Sequence, residues 1–447
     1  MKNKNQRVVA ASRVSLVEFF FALLPLLALT PNFFVIPDLS YPGLATQEFV
    51  FVLAVLACAA VGLSRALQLT TQLRVDRQLL FLFVTAVAFL VWQALSLAWA
   101  PDWSEGVRIA GFWFGLLVFF ATAVWAVRER SARWIFAMLV VTTALLLWSL
   151  FYEYIKYGPS EMAGIFFNHG ITAELLAMLL PLFLLVFLCE RKKRAAVIIS
   201  LLAAGVSAAA LMLTLRRGPL LGLLLTGLVI GLALLTKTVE VADKRRLYLV
   251  IGVVLLVVVP LVIYKREALL ARLRGATQLQ TATNVQAAEL GLTGRAVIWL
   301  TALEMGKHNA LKGVGVGGYM SRYGAYRKLF LENPRFASAA AAAEAEDHDE
   351  IRSPQAHSEY LQLFAELGVI GVLLFLAFWL QVFWQLWQRR RAVNGYLAFG
   401  ALCGLLVFSV SSAVGAFSFR TSPDILILSG LLAIGFAVKR PTETEVA

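Results

Sequence analysis

The sequence predicts an all-α polytopic membrane protein with twelve transmembrane helices. Three observations carry that expectation. Hydrophobic residues make up 60% of the 447 residues, charged residues only 15%, and the mean hydropathy is +0.78; soluble domains lie nearer ~45–50% apolar and ~25% charged. The apolar residues come in runs close to the ~20 needed to cross a hydrocarbon core. The basic residues fall in short clusters between those runs, as topology signals do. This composition excludes a soluble enzyme, a disordered chain and a soluble repeat array. A net charge of +13 scattered over many loops is not the footprint of a nucleic-acid-binding face.

The runs lie at 14–31, 49–63, 79–99, 107–127, 133–152, 171–189, 195–214, 218–236, 247–264, 359–388, 395–414 and 422–438. The basic stretch 1–13 leads into a run that carries Glu18 and lacks a small-x-small cleavage site, so it reads as a retained first helix rather than a signal peptide. With that end inside, every short inner loop is basic, from Arg65, Arg74 and Arg77 through Arg191–Arg194 to Arg389–Arg391. The short outer loops hold only Arg108, Lys156, Arg216, Arg217 and Arg420. The positive-inside rule therefore places both termini in the cytoplasm. Cys58, Cys189 and Cys403 are far apart and sit in or beside apolar runs, a pattern that supports neither zinc nor a disulfide framework.

The organisation that follows is nine spans over 1–264, an outer segment over 265–356, and three spans over 357–447. The outer segment is far longer than the ~12–15 residues of an ordinary connector. Tyr264 to Leu273 reads as a helix leaving the membrane, and Arg295 to Gly306 has helical spacing around Trp299. Gly313-Val314-Gly315-Val316-Gly317-Gly318-Tyr319 reads as a glycine-rich turn, and 336–352 as an Ala-rich, then acidic flap.

A charge at mid-bilayer costs ~2.5–3.5 kcal/mol on insertion scales, so ionisable groups gathered at one set of helix ends are informative. Arg216-Arg217-Gly218-Pro219 opens the eighth span at its outer end. With Pro219 at the first helical position, free N–H groups and two guanidiniums would face the same point, an arrangement suited to a phosphate or diphosphate. Arginines snorkelling to outer headgroups are the alternative. His357 stands at the outer start of the tenth span, and His357, Leu361, Phe364, Gly368 and Gly371 share one helical face. A helix N-terminus favours a neutral, proton-accepting imidazole; a histidine satisfied at a helix end is the more ordinary reading. Arg295 opens the loop helix and is ambiguous by itself, and His169 and His308 lack partners at catalytic spacing. Asp347-His348-Asp349 has the form of a DxD metal motif, but nothing around it orients the ligands, so it reads as a solvated flap.

The stretch His357-Ser358-Glu359-Tyr360-Leu361-Gln362, running on to Glu366-Leu367-Gly368-Val369-Ile370-Gly371, resembles the His-x-x-x-Leu-Gln…Glu-x-Gly-x-x-Gly signature of the O-antigen ligase and polymerase family. Gly294-Arg295 with Trp299 and Gly313-Val314-Gly315-Val316-Gly317 resembles its Gly-Arg…Trp…Gly-x-Gly-x-Gly stretch. Arg217-Gly218 is similar to its Ser-Arg-Gly element, with Arg216 in place of the usual Ser. The ligase branch is the nearer likeness; polymerases and protein O-oligosaccharyltransferases share the same marks.

The resemblance implies a GT-C-like, metal-independent and inverting glycosyltransferase of the bacterial inner membrane that uses no cofactor. Its donor would be undecaprenyl-diphosphate-linked O-antigen and its acceptor a sugar of lipid A-core, at the periplasmic face. His357 would be catalytic, and Arg216, Arg217 and Arg295 would bind the diphosphate. A lipid-linked sugar transporter or flippase is the reading from another class. Transporters carry internal repeats and polar sites at the midplane, whereas here the suspicious residues collect at one face.

Overall fold

The computed structural model describes residues 23–29, 48–60, 77–127, 129–158, 169–214, 216–253, 293–331, 355–415 and 419–440. All regular structure among them is helical: α1 (Glu48–Ala60), α2 (Arg77–Ser96), α3 (Trp103–Ala126), α4 (Glu129–Tyr157), α5 (His169–Cys189), α6 (Arg194–Thr214), α7 (Arg217–Leu235), α8 (Lys244–Val253), α9 (Thr293–His308), α10 (Tyr319–Leu331), α11 (Glu359–Arg389), α12 (Gly395–Val414) and α13 (Ser422–Ala437). Eight of these are long and apolar enough to cross a membrane, and α1 and α13 are shorter apolar helices. The chain is thus a multi-pass helical membrane protein. The expected helix over Tyr264–Leu273 and the flap at 336–352 lie outside the described residues, as does most of the first run.

Hydropathy makes these segments helices, and small residues decide how they pack. Lipid tails are as apolar as leucine, so helices associate where backbones approach closely. Gly400 and Gly404 of α12 face α5: a Cβ on Gly400 would lie 3.0 Å from the Leu182 Cα, and one on Gly404 would run into the Met178 carbonyl. Gly218 and Gly222 of α7 face the other side of α12, where their Cβ atoms would meet the Ser411 hydroxyl at 3.0 Å and the Val407 carbonyl at 2.8 Å. Two small-xxx-small seams therefore clamp α12 between α5 and α7. α5 is buried over most of its length and α13 over all of it. α7 instead exposes Leu221, Leu224, Leu228, Leu232 and Leu235, a stripe at helical spacing that meets lipid.

Helices α9 and α10 share a separate small core of Ala302, Met305, Val314, Tyr319, Tyr323, Ala356 and Ala365. Helix α9 packs along the start of α11.

The structure corrects three expectations. Helix α7 begins at Arg217 with Arg216 as its N-cap, so Pro219 is the third helical residue rather than the first. Its missing N–H is still one of the four that a helix start leaves unpaired. The tenth span is not one continuous helix, because Gly368 sits at φ 67°, ψ −169° and breaks it. At ~1.5 Å per residue, 31 helical residues would reach ~46 Å, well beyond the ~30 Å hydrocarbon core. The 21 residues from 369 to 389 suffice for the crossing, and residues 359–367 form a half-helix outside it. The single face from His357 to Gly371 is consequently interrupted. Finally, Arg108 is not in a loop: it lies in the second turn of α3 and pairs with Glu105 at 2.6 Å and Glu48 at 3.0 Å.

Candidate functional site

The break in α11 organises the site. A helix interrupted at Gly368 leaves backbone groups without their ladder partners, and at the edge of a membrane each must be satisfied by protein. The glycine-rich turn supplies those partners. Val314 N donates to the Ala365 carbonyl at 3.0 Å, Gly315 N to Glu366 O at 2.9 Å, and Val369 N donates back to Ala310 O at 2.8 Å. The Trp92 indole takes the Leu367 carbonyl at 3.0 Å. Contact this close requires glycine on both sides. A Cβ on Gly313 would run into the Glu366 carbonyl, and one on Gly368 into the backbone of Leu311. The other face of the turn seats on the corner between α2 and α3, where Val316 N donates to Ser96 Oγ at 3.1 Å. Among the described groups the Gly-x-Gly-x-Gly segment works as a backbone clamp: its N–H groups at 314, 315 and 316 are all committed to protein.

Above the clamp, the half-helix carries a buried polar network. Arg420, from the turn before α13, is 5% exposed and reaches two carboxylates: Nε to Glu359 Oε1 at 3.2 Å, and Nη2 to Glu366 Oε2 at 3.0 Å. Burial opposes the charge on Arg420, but the facing Glu359 and Glu366 outweigh it and raise its pKa above the usual guanidinium value. Gln362 Nε2 donates to Glu366 Oε1 at 3.0 Å, and the Gln362 side-chain oxygen Oε1 accepts from Ala356 N at 3.0 Å. The network thus ends on the residue before His357.

His357 precedes the N-cap Ser358 and adopts φ 51°, in the left-handed region. A non-glycine residue holds that conformation when its neighbours over-determine it. Here the Ala356 amide is tied to Gln362, and the His357 carbonyl accepts from Trp299 Nε1 of α9 at 3.4 Å. Arg295 lies on α9 four residues before Trp299, hence on the same face one turn earlier.

The α7 arginines reach the same end of the bundle through α12. The Tyr360 hydroxyl, three residues from His357, donates to the Ser409 carbonyl at 3.0 Å. Two residues on, Ser411 faces Gly218 of α7 and donates to Glu174 Oε1 at 2.7 Å. Arg216 is exposed at the N-cap of α7, and Arg217 is the first residue of that helix. The side chains of Arg217 and Arg295 lie outside the described set, so the structure fixes the places of their backbones. Arg108 and Arg420 are committed to ion pairs, while Arg216 is exposed.

Residues 202–376 match the family model described as O-antigen ligase. The likeness to that family covers 175 of the chain's 447 residues. That span holds Arg216, Arg217, Arg295, the glycine-rich turn and the half-helix with His357 and Glu366, while Arg420 lies beyond it. A search of curated proteins returns no match.

Sequence reasoning missed Arg420, which looks like any outer-loop cation, and Glu174 and Asp424, both buried at this end. A carboxylate inside an otherwise apolar run was the available signal, since such groups are kept only where protein surrounds them. Glu359, Gln362 and Glu366 were visible inside the motif, but their common partner was not.

Proposed function

We propose that this protein is an O-antigen ligase that moves a polysaccharide from undecaprenyl diphosphate to a sugar hydroxyl of lipid A-core at the periplasmic face of the inner membrane. The observation that supports the reading is that the α7 start and the α11 half-helix both pack on one end of α12, with α9 lying along that half-helix, inside the stretch 202–376 that matches the family model.

In this reading the acceptor hydroxyl attacks the anomeric carbon, the bond from that carbon to the diphosphate oxygen breaks, and the configuration inverts. The hydroxyl proton passes to the His357 imidazole; a positioned base of this kind contributes ~10²–10⁴-fold. Negative charge develops on the lipid diphosphate. Arg217 and Arg295, with Arg216 beside them, stabilise it at a helix N-terminus whose N–H groups point the same way. Arginine suits this work because its planar fork binds phosphate oxygens in pairs.

The test is transfer by the purified protein, reconstituted with lipid-linked polysaccharide and lipid A-core on the same side of the membrane. Covalent joining of the two supports the ligase. Donor-to-donor extension without joining to core makes the protein a polymerase, and movement of the donor across the bilayer without new covalent product makes it a flippase.

A further inference from the structure

At the far end of α11, away from His357, the bundle opens into a pocket of about 880 Å³. Its walls are the turn 190–193 between α5 and α6, the turn 236–240 after α7 and the turn 390–395 between α11 and α12, with Arg133 of α4 at the edge. Lys192, Lys193, Lys237, Arg390 and Arg391 line it together with Arg133. The acidic groups in the wall, Glu190 and Glu240, are both engaged. Glu190 accepts from Lys192 N and from the Tyr396 hydroxyl, each at 2.8 Å, and Glu240 pairs with Arg191 at 3.1 Å. A large excess of positive charge therefore remains inside one concave space.

The topology rule explains basic residues near helix ends, but it does not require three separate turns to wall a cavity with them. Two of these turns hold a non-glycine residue in the left-handed region, Lys237 at φ 52° and Asn394 at φ 59°. The Arg390 guanidinium carbon sits over the Trp387 ring, 3.6 Å from its centroid, and Arg390 Nη1 donates to the Trp387 carbonyl at 2.6 Å. Val393, 82% exposed, places an apolar side chain among the cationic walls, and Leu235, 81% exposed, precedes the 236–240 turn. Charge with hydrocarbon next to it describes a lipid headgroup more closely than a soluble anion. Basic pockets between transmembrane helices on the cytoplasmic side are suited to such headgroups.

We propose that this pocket binds the phosphate-bearing headgroup of an anionic membrane phospholipid, at the end of the bundle that the charge pattern assigns to the cytoplasm. The probe is the full chain, purified in detergent, offered cardiolipin and phosphatidylethanolamine in equal amounts, with retained lipid read by native mass spectrometry. The wild type should retain cardiolipin in preference. Lys192→Gln with Lys193→Gln and Lys237→Gln should weaken retention about tenfold or more, given the strength of single basic contacts at an anionic surface. Lys244→Gln with Arg245→Gln and Lys439→Gln removes the same charge outside the pocket and should leave retention unchanged. If the first variant cannot be purified, Arg133→Gln with Arg391→Gln, on other walls, gives the same readout. Equal losses in the pocket variant and its control, or no preference in the wild type, would overturn the proposal. So would release of the lipid by millimolar inorganic phosphate, which would make the pocket a site for soluble anions.

Discussion

Arg420 and Glu366, distant in sequence, meet as a two-contact buried pair: Nη2 to Oε2 is 3.0 Å and Nη1 to Oε1 is 3.4 Å, with the side chains 3% and 1% exposed. The pair ties the turn before α13 to the half-helix that carries the His357 loop, and Glu359 completes it from the first turn. Removing one partner of a buried pair leaves an uncompensated charge and costs ~3–5 kcal/mol. Arg420→Gln should therefore lower the thermal midpoint of the detergent-purified protein sharply. Adding Glu359→Gln and Glu366→Gln should restore much of the loss, because the orphaned carboxylates are gone. No recovery in the triple variant would mean that the guanidinium does more than neutralise charge.

The clamp between the glycine-rich turn and the broken helix makes a second prediction. Gly368→Ala places a methyl against Leu311 at a positive φ, and Gly313→Ala places one against the Glu366 carbonyl. Strain at such φ values alone costs ~1–3 kcal/mol, and the collisions add to it. Both variants should lose folded yield in membrane extracts. Gly324→Ala is the comparison: it lies in α10 with nothing within 4 Å of the added methyl, so helix propensity should make it neutral or stabilising by ~1 kcal/mol. Equal behaviour of all three would remove the clamp from the account.

Gln362 is a positioning residue in the proposed reaction, since it holds the Ala356 amide while pairing with Glu366. Gln362→Ala frees the loop that aims His357, and misplacement by ~1 Å costs on the order of 10²-fold. The expected result is a fall in kcat with little change in the KM for donor and an unaltered pH profile. A change confined to thermal stability would make the residue merely structural.

His357 tests the chemistry itself. His357→Ala should slow transfer by ~10²–10⁴-fold, with donor binding retained, since in the proposed reaction the arginines hold the diphosphate. His357→Gln keeps a hydrogen-bonding side chain without basicity. Near-wild-type turnover by that variant would reduce His357 to a residue that orients the acceptor.

The arginines should tolerate no conservative exchange. Arg217→Lys and Arg295→Lys keep the charge but lose the planar two-pronged donor. Each is expected to depress transfer strongly while the protein inserts at normal levels, measured by immunoblot of membranes beside the surface lipopolysaccharide profile. Full complementation by both lysine variants would make these residues anchors at the membrane surface.

The sequence by itself determined the helical membrane class, the helices over most spans, the loop helix containing Arg295, and the motif residues around His357. Each of these depends on a local quantity: transfer of a contiguous run to hydrocarbon, spacing along one helix, or the order of a short motif. The tertiary structure alone decided the rest. The hydropathy of 359–388 predicts one unbroken span, because it contains no term for donors arriving from elsewhere. The break at Gly368 is stable because Val314, Gly315 and Trp92 supply donors and Ala310 an acceptor. Arg420 reads as a surface cation until folding places it between Glu359 and Glu366. Likewise, Arg217 and His357 come to the same end of the bundle because α12 stands between their helices, gripped by Gly218 and Gly222 on α7 and bonded by Tyr360 on α11. Those contacts join residues far apart in the chain, and neither hydropathy nor helical spacing contains the distance between them.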